Sequence, residues 1–102
     1  MRLQNKVAIV TGASLGIGSA IAKRFGREGA KVAVNYLKSE NSANDVVKGI
    51  TSAGGTAKSF KADVSKVAEI EKLTQEVLRE WGNVDILVNN AGVFRTVPVM
   101  ET

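Results

Sequence analysis

The sequence predicts an α/β protein: a doubly wound parallel sheet in strand order 3-2-1-4, incomplete beyond its fourth strand. Three observations carry this. Four strand-like segments alternate with three helical patterns, β-α-β-α-β-α-β, and at these lengths the alternation implies parallel strands joined by right-handed crossovers. The first segment, Val7-Ala8-Ile9-Val10, is a continuous apolar run, as a strand buried on both faces should be. A glycine-rich turn then joins that strand to the first helix.

Each element has its own signal. From Gly16 to Glu28, Ile17, Ile21 and Phe25 recur every four positions on one helix face, and Gly29 supplies the stop. Lys31 to Tyr36 is the second strand, centred on Val32, Ala33 and Val34. The second helix opens with Ser39, carries Ala43, Val46, Val47, Ile50 and Ala53 at helical spacing, and halts at Gly54-Gly55. Thr56 to Ala62 is a third strand in which only Ala57, Phe60 and Ala62 are apolar, a polarity that suggests a sheet edge. Val67, Ile70, Leu73, Val77 and Trp81 mark a long helix over about Lys66 to Trp81, closed by Gly82-Asn83. Val84 to Val88 is an apolar strand leading into Asn89-Asn90-Ala91-Gly92, and Val97 to Thr102 reads as a loop. An ending of that kind suggests a cut within a connection, so residues 1–102 are expected to form one truncated domain.

Composition narrows the chemistry. The 102 residues leave room for one domain, and 44% apolar with 24% charged residues is the balance of a folded chain. Without Cys, disulfides, thiolate nucleophiles and cysteine zinc sites are excluded. Without His, so are the Ser-His-Asp triad and the usual imidazole metal ligands. Any catalysis would fall to Tyr, Lys, Ser or carboxylates. The net charge of +4 comes from scattered residues such as Arg2, Lys6, Lys23, Arg24, Arg27 and Lys31, which fits a solvated surface better than a nucleic-acid face. No apolar run approaches a membrane span and no secretory signal precedes the first strand, so a cytoplasmic location without membrane or nucleic-acid partners is expected.

Between the first strand and first helix lies Thr11-Gly12-Ala13-Ser14-Leu15-Gly16-Ile17-Gly18. Glycines at a strand exit and helix entry let the backbone turn tightly and approach a pyrophosphate, to which the helix N-terminus offers N–H groups and a positive dipole end. Glycine turns after strands are common, but this one occupies the first βα unit, where a nucleotide site requires it. The spacing G-x-x-x-G-x-G differs from G-x-G-x-x-G, and the absence of a Lys after the last glycine separates it from the P-loop.

On these residues the chain resembles the short-chain dehydrogenase/reductases. Thr11-Gly12-x-x-x-Gly16-Ile17-Gly18 is similar to that family's cofactor motif, Asn89-Asn90-Ala91-Gly92 to its second motif, and Asp63-Val64 to the pair that meets the adenine ring in many members. Within the family it looks most like 3-oxoacyl-acyl-carrier-protein reductases and glucose 1-dehydrogenase-like members, over less than half of a family domain. The resemblance implies a Rossmann domain in which Gly12, Ser14, Gly16, Ile17 and Gly18 line the pyrophosphate and adenosine ribose. Asp63 would accept from the adenine amino group with Val64 beside the ring; a turn-capping role ahead of Ser65 is the other reading and is compatible. Asn90, Ala91 and Gly92 would border the nicotinamide-side ribose, although a polar strand terminus would also look like this.

The cofactor choice rests on the segment after the second strand. NAD-binding domains usually carry an acid there for the ribose 2′-hydroxyl. This chain has Asn35-Tyr36-Leu37-Lys38-Ser39, with no acid until Glu40. Asn35, Lys38 and Ser39 could donate to a 2′-phosphate, so NADP is favoured over NAD, although Lys38 reads equally well as an exposed loop lysine. Leu15 stands against this, at a place where many NADP-using members have a basic residue. The family's chemistry needs a Tyr with a Lys four residues on, and here Tyr36 is followed at that distance by Glu40, so no catalytic residue is assigned. The expectation is the nucleotide-binding front part of a carbonyl reductase acting on a 3-oxoacyl thioester or a sugar or polyol. The alternative is a noncatalytic nucleotide-binding or self-associating fragment, pairing through the apolar fourth strand.

Overall fold

The computed structural model describes residues 3–13 and 16–90. Its elements are β1 (Val7–Val10), α1 (Gly16–Arg27), β2 (Lys31–Tyr36), α2 (Glu40–Ser52), β3 (Thr56–Lys61), α3 (Val67–Trp81) and β4 (Ile86–Val88). The strands form one sheet in the order β3-β2-β1-β4, and all three pairings are parallel. Both the alternation and the strand order therefore stand as the sequence suggests.

Alternation of side chains along β1 sorts the core into two layers. Val7 and Ile9 pack with Ala33, Phe60, Leu73 and Val77 on the α3 side. Val10 packs with Val32, Val34, Ala43, Val46 and Ile50 on the side shared by α1 and α2. All four β1 residues are buried, as expected of a central strand covered on both faces. Polar β3 lies at the sheet edge, and there only Phe60 is fully buried.

The helices depart from the predicted stripes in two places. On α1 the buried residues are Gly18, Ala22 and Gly26; Ile21 and Phe25 flank them, and Ile17 is 72% exposed. The inner face is thus set by small residues four apart, one position round from the aliphatic row that sequence periodicity picks out. A Cβ at Gly26 would stand 2.7 Å from Ile50 Cγ2, so the two helices meet too closely for a side chain there. On α3 Val67 is 71% exposed and the core stripe begins a turn later, with Leu73 and Val77 at its centre. Gly82 ends α3 at φ +80°, its N–H donating to the Leu78 carbonyl at 2.7 Å.

β4 is shorter than predicted because Asp85 is buried and serves another purpose. Its Oδ2 accepts from the Val7 N–H at 2.9 Å and its own N–H donates to the Val7 carbonyl at 2.9 Å. Asn83 Nδ2 donates to the other carboxylate oxygen at 2.9 Å. Asp85 therefore fixes the β1–β4 register at the start of both strands instead of merely interrupting an apolar edge. No described helix is long and apolar enough to cross a membrane.

Candidate functional site

Because every strand is parallel, the residues that leave β1, β2, β3 and β4 gather at one end of the sheet. Such an end collects the connections and their unpaired backbone groups, which is why open α/β sheets bind ligands there. Here the gathered residues are Thr11-Gly12, Leu37, Ala62-Asp63 and Asn89-Asn90.

Thr11 joins the β1 and β4 exits. Its N–H donates to the Val88 carbonyl at 3.0 Å, and its Oγ1 accepts from the Asn90 N–H at 2.7 Å. The hydroxyl also stands 3.2 Å from the Val88 carbonyl and 3.3 Å from Asn89 Oδ1, either of which can take its single proton. Thr11 stands in the glycine motif, yet its hydroxyl reveals its role only through the neighbouring strand.

Gly12 turns at φ +59° and Gly16 at φ +57°, the left-handed region where a side chain costs about 1–2 kcal/mol. Among the described residues nothing lies within 4 Å of the Cβ position of Gly16, at the start of α1. Gly18 is the opposite case. A Cβ there would run into the Gly12 carbonyl oxygen and lie 2.6 Å from Asn90 Nδ2, so this glycine brings α1 against the turn and the β4 exit.

A cavity of about 410 Å³ adjoins the turn, lined by Gly12, Asn35, Leu37, Ala62, Asp63, Val64 and Ser65. Asp63 Oδ1 accepts from the Ser65 hydroxyl at 2.6 Å and the Ser65 N–H at 3.0 Å, an Asx-type turn. The Ser65 hydroxyl and then its N–H hold the Asp63 carboxyl below its ordinary pKa, with Lys66 adding attraction. The group is therefore a standing acceptor, with Oδ2 outside the Ser65 turn. Glu69 Oε1 accepts from the Asp63 N–H at 2.8 Å and steadies the same loop from α3. A larger groove of about 620 Å³ runs between β3 and α3, but it is lined by mixed charges including the Lys58–Glu80 ion pair, and the glycine turn is not part of it.

The remaining predicted site residues fall as follows. Asn35 is buried at 2% exposure, and its amide is spent inside the protein: Oδ1 accepts from the Gly12 N–H at 3.2 Å, and Nδ2 donates to the Ala62 and Phe60 carbonyls at 3.2 and 3.3 Å. It is not the outward donor to a 2′-phosphate that the sequence suggests. Tyr36 packs in the core layer shared by α1 and α2. Lys38 is exposed, and Ser39 precedes α2 without a side-chain capping bond. Ile17 is exposed beside the turn, and Val64 lines the cavity. Ser14, Leu15, Ala91 and Gly92 lie outside the described residues.

Comparison with known proteins agrees with this geometry. The family model for short chain dehydrogenases matches residues 6–102. An uncharacterised oxidoreductase of Methylorubrum extorquens is 46% identical over 98% of this chain, which spans 40% of that protein's length. The short-chain dehydrogenase/reductase homolog YusS of Bacillus subtilis is 43% identical over 97% of this chain and is itself 91% covered. Among solved structures, a short-chain dehydrogenase/reductase from Serratia marcescens superimposes with a TM-score of 0.88 at 47% identity, over 92% of this chain and 38% of its own. A short chain dehydrogenase from Burkholderia cenocepacia, solved in complex with NADP, gives 0.87 at 47% identity, over 93% and 39%. A glycine turn held by Thr11 and Gly18, in a sheet of order 3-2-1-4 that overlays these structures, places the chain in the short chain dehydrogenase family.

Proposed function

We propose that this chain binds a nicotinamide dinucleotide at the exit end of its sheet, NADP in preference to NAD. The observation that carries the reading is the cavity beside the left-handed Gly12, with an ionised Asp63 on its wall. The start of α1 at Gly16 suits a pyrophosphate, which the helix N-terminus would stabilise. Gly12, Gly16 and Gly18, together with Ser14, Leu15 and Ile17, would surround it. Asp63 would accept from the adenine amino group and Val64 would lie against the ring. Asn90, Ala91 and Gly92 would border the second ribose. With Asn35 and Tyr36 both turned inward, discrimination at the 2′ position falls to Leu37, Lys38 and Ser39, where no acid opposes a phosphate. The NADP complex of the Burkholderia relative supports this choice.

When bound, the nicotinamide supplies or accepts a hydride. In a longer protein containing this segment, that chemistry would serve reduction of a carbonyl, of the 3-oxoacyl-thioester or sugar and polyol type. A second reading has its own support: YusS has nearly the length of this chain, and Tyr36 here is not followed by a Lys four residues later. On that reading the 102-residue chain is a nucleotide-binding module without turnover. Calorimetry with NADPH and NADH tests the binding proposal, which expects NADPH to bind more tightly; the reverse order contradicts it. Oxidation of NADPH by a sample of verified mass, with carbonyl substrates present, would overturn the second reading.

A further inference from the structure

Asn35 lies where three segments converge. Its orientation is dictated by its neighbours, with a backbone N–H on one side and carbonyls on the other, so the amide oxygen must face Gly12 and the nitrogen must face β3. The two Nδ2 hydrogens match the carbonyls of Phe60 and Ala62, and the Tyr36 carbonyl at 3.5 Å is at the limit of bonding. Its own main-chain carbonyl accepts from the Ala13 N–H at 2.9 Å, so residue 35 holds both amides of the turn that follows Thr11. The far side of the same side chain holds the end of β3, one residue before Asp63. One planar amide thus spans the glycine turn and the loop that carries the Asp63 acceptor.

We infer that Asn35 is a positioning residue that sets the glycine turn and the Asp63 loop at a fixed separation, so that the two ends of an adenosine diphosphate group are recognised as a unit. The inference rests on the cofactor reading above. Neither kind of replacement does the same: an aspartate would keep the acceptor for Gly12 but turn negative oxygen toward two carbonyls, and an apolar residue would remove the side-chain bonds to Gly12, Phe60 and Ala62 in a buried place. The residue discriminates nothing by itself. It determines whether a ligand that fits the turn also fits the loop.

The test uses the 102-residue chain and two variants. Asn35→Ala should speed hydrogen exchange at the Gly12 amide by roughly tenfold or more and weaken NADPH binding to a similar degree, as loss of a buried bond of about 1.4 kcal/mol implies. Asn35→Asp should keep the Gly12 amide protected yet still bind NADPH poorly, because only the β3 side is lost. A remote core variant of matched stability loss, Val77→Ala, should retain wild-type affinity. Unchanged Gly12 exchange in Asn35→Ala, affinity within twofold of wild type, or an equal loss in Val77→Ala would each overturn the inference. Should neither variant fold, inorganic pyrophosphate titrated into the wild-type chain decides the matter by amide shifts: movement at Gly12 together with Ala62 and Asp63 supports coupling, and movement at Gly12 alone refutes it. Movement at none of them overturns the cofactor reading, and with it the inference that rests on that reading.

Discussion

The two faces of the sheet are covered in different ways. α3 is held by bulk, with Leu73 and Val77 buried against Val7, Ile9, Ala33 and Phe60. α1 is held by the absence of bulk, its inner line being Gly18, Ala22 and Gly26. Aliphatic packing gains energy from buried area and tolerates small shifts of the helix. A glycine contact buries little, but it fixes how near the helix stands to Gly12 and Asn90, and that nearness builds the site. The close helix approach that builds the glycine turn thus lies on one face, and the aliphatic seat of α3 on the other.

Substitutions can separate them. Leu73→Ala should have the largest effect on stability, about 2–5 kcal/mol by urea unfolding, since it removes a buried side chain and leaves a cavity. NADPH affinity of the folded fraction should stay within twofold; a tenfold loss would show that α3 shapes the site as well. Gly18→Ala should cost about 1–3 kcal/mol, because the new methyl meets backbone that cannot yield, and it should also weaken NADPH binding at least tenfold. Wild-type affinity in that variant would break the comparison. Gly26→Ala lies on the same line but meets the base of Ile50, a buried β-branched side chain with little room to move. Crowding of about 1–3 kcal/mol should outweigh the gain in helix propensity of about 1 kcal/mol, for a net loss of stability with NADPH affinity retained.

The smallest effect concerns the loop. Ser65→Ala should leave the unfolding midpoint nearly unchanged while raising the Asp63 pKa back toward 3.8. The sign follows from the depressed native value: what the ionised carboxylate contributes is present above its ordinary pKa and is lost as pH falls toward the native one. Removing Ser65 narrows the gap between native and ordinary values and so shrinks that contribution, and an NMR titration of Asp63 reads the rise directly. At the end of the sheet opposite β3 lies β4, the edge through which the sequence suggests self-association. Light scattering at micromolar concentration should then give a mass above that of one chain, and a clean monomer would exclude it.

Much of this architecture is legible in the sequence because its signals are local. A continuous run such as Val7–Val10, the polar β3 and the glycine stops each follow from neighbouring residues alone. The departures arise where a partner distant in sequence decides. Periodicity ranks Ile17, Ile21 and Phe25 as the inner face of α1, since it weighs hydrophobicity and gives glycine no credit for closeness. Asn35 looks like an outward donor until β3 is placed beside it. Asp85 looks like an interruption until Val7 is seen opposite it. Ser65 and Glu69 support Asp63 from beyond the motif, and of the two only Ser65 has a short-range signal, as the residue two after an Asp.

The edge-to-face pair of Phe60 and Trp81, with ring centres 6.1 Å apart at 71°, has a practical consequence. Trp81 is the chain's single tryptophan, so its emission belongs to one place, the last turn of α3 against β3. Intrinsic fluorescence will report the loosening of that layer when the protein is denatured. It will give little account of the α1 layer, where glycine contacts set the geometry. An unfolding curve followed by tryptophan and one followed by far-ultraviolet circular dichroism should coincide if the two layers melt together. If α1 detaches first, the dichroism will change before the fluorescence does.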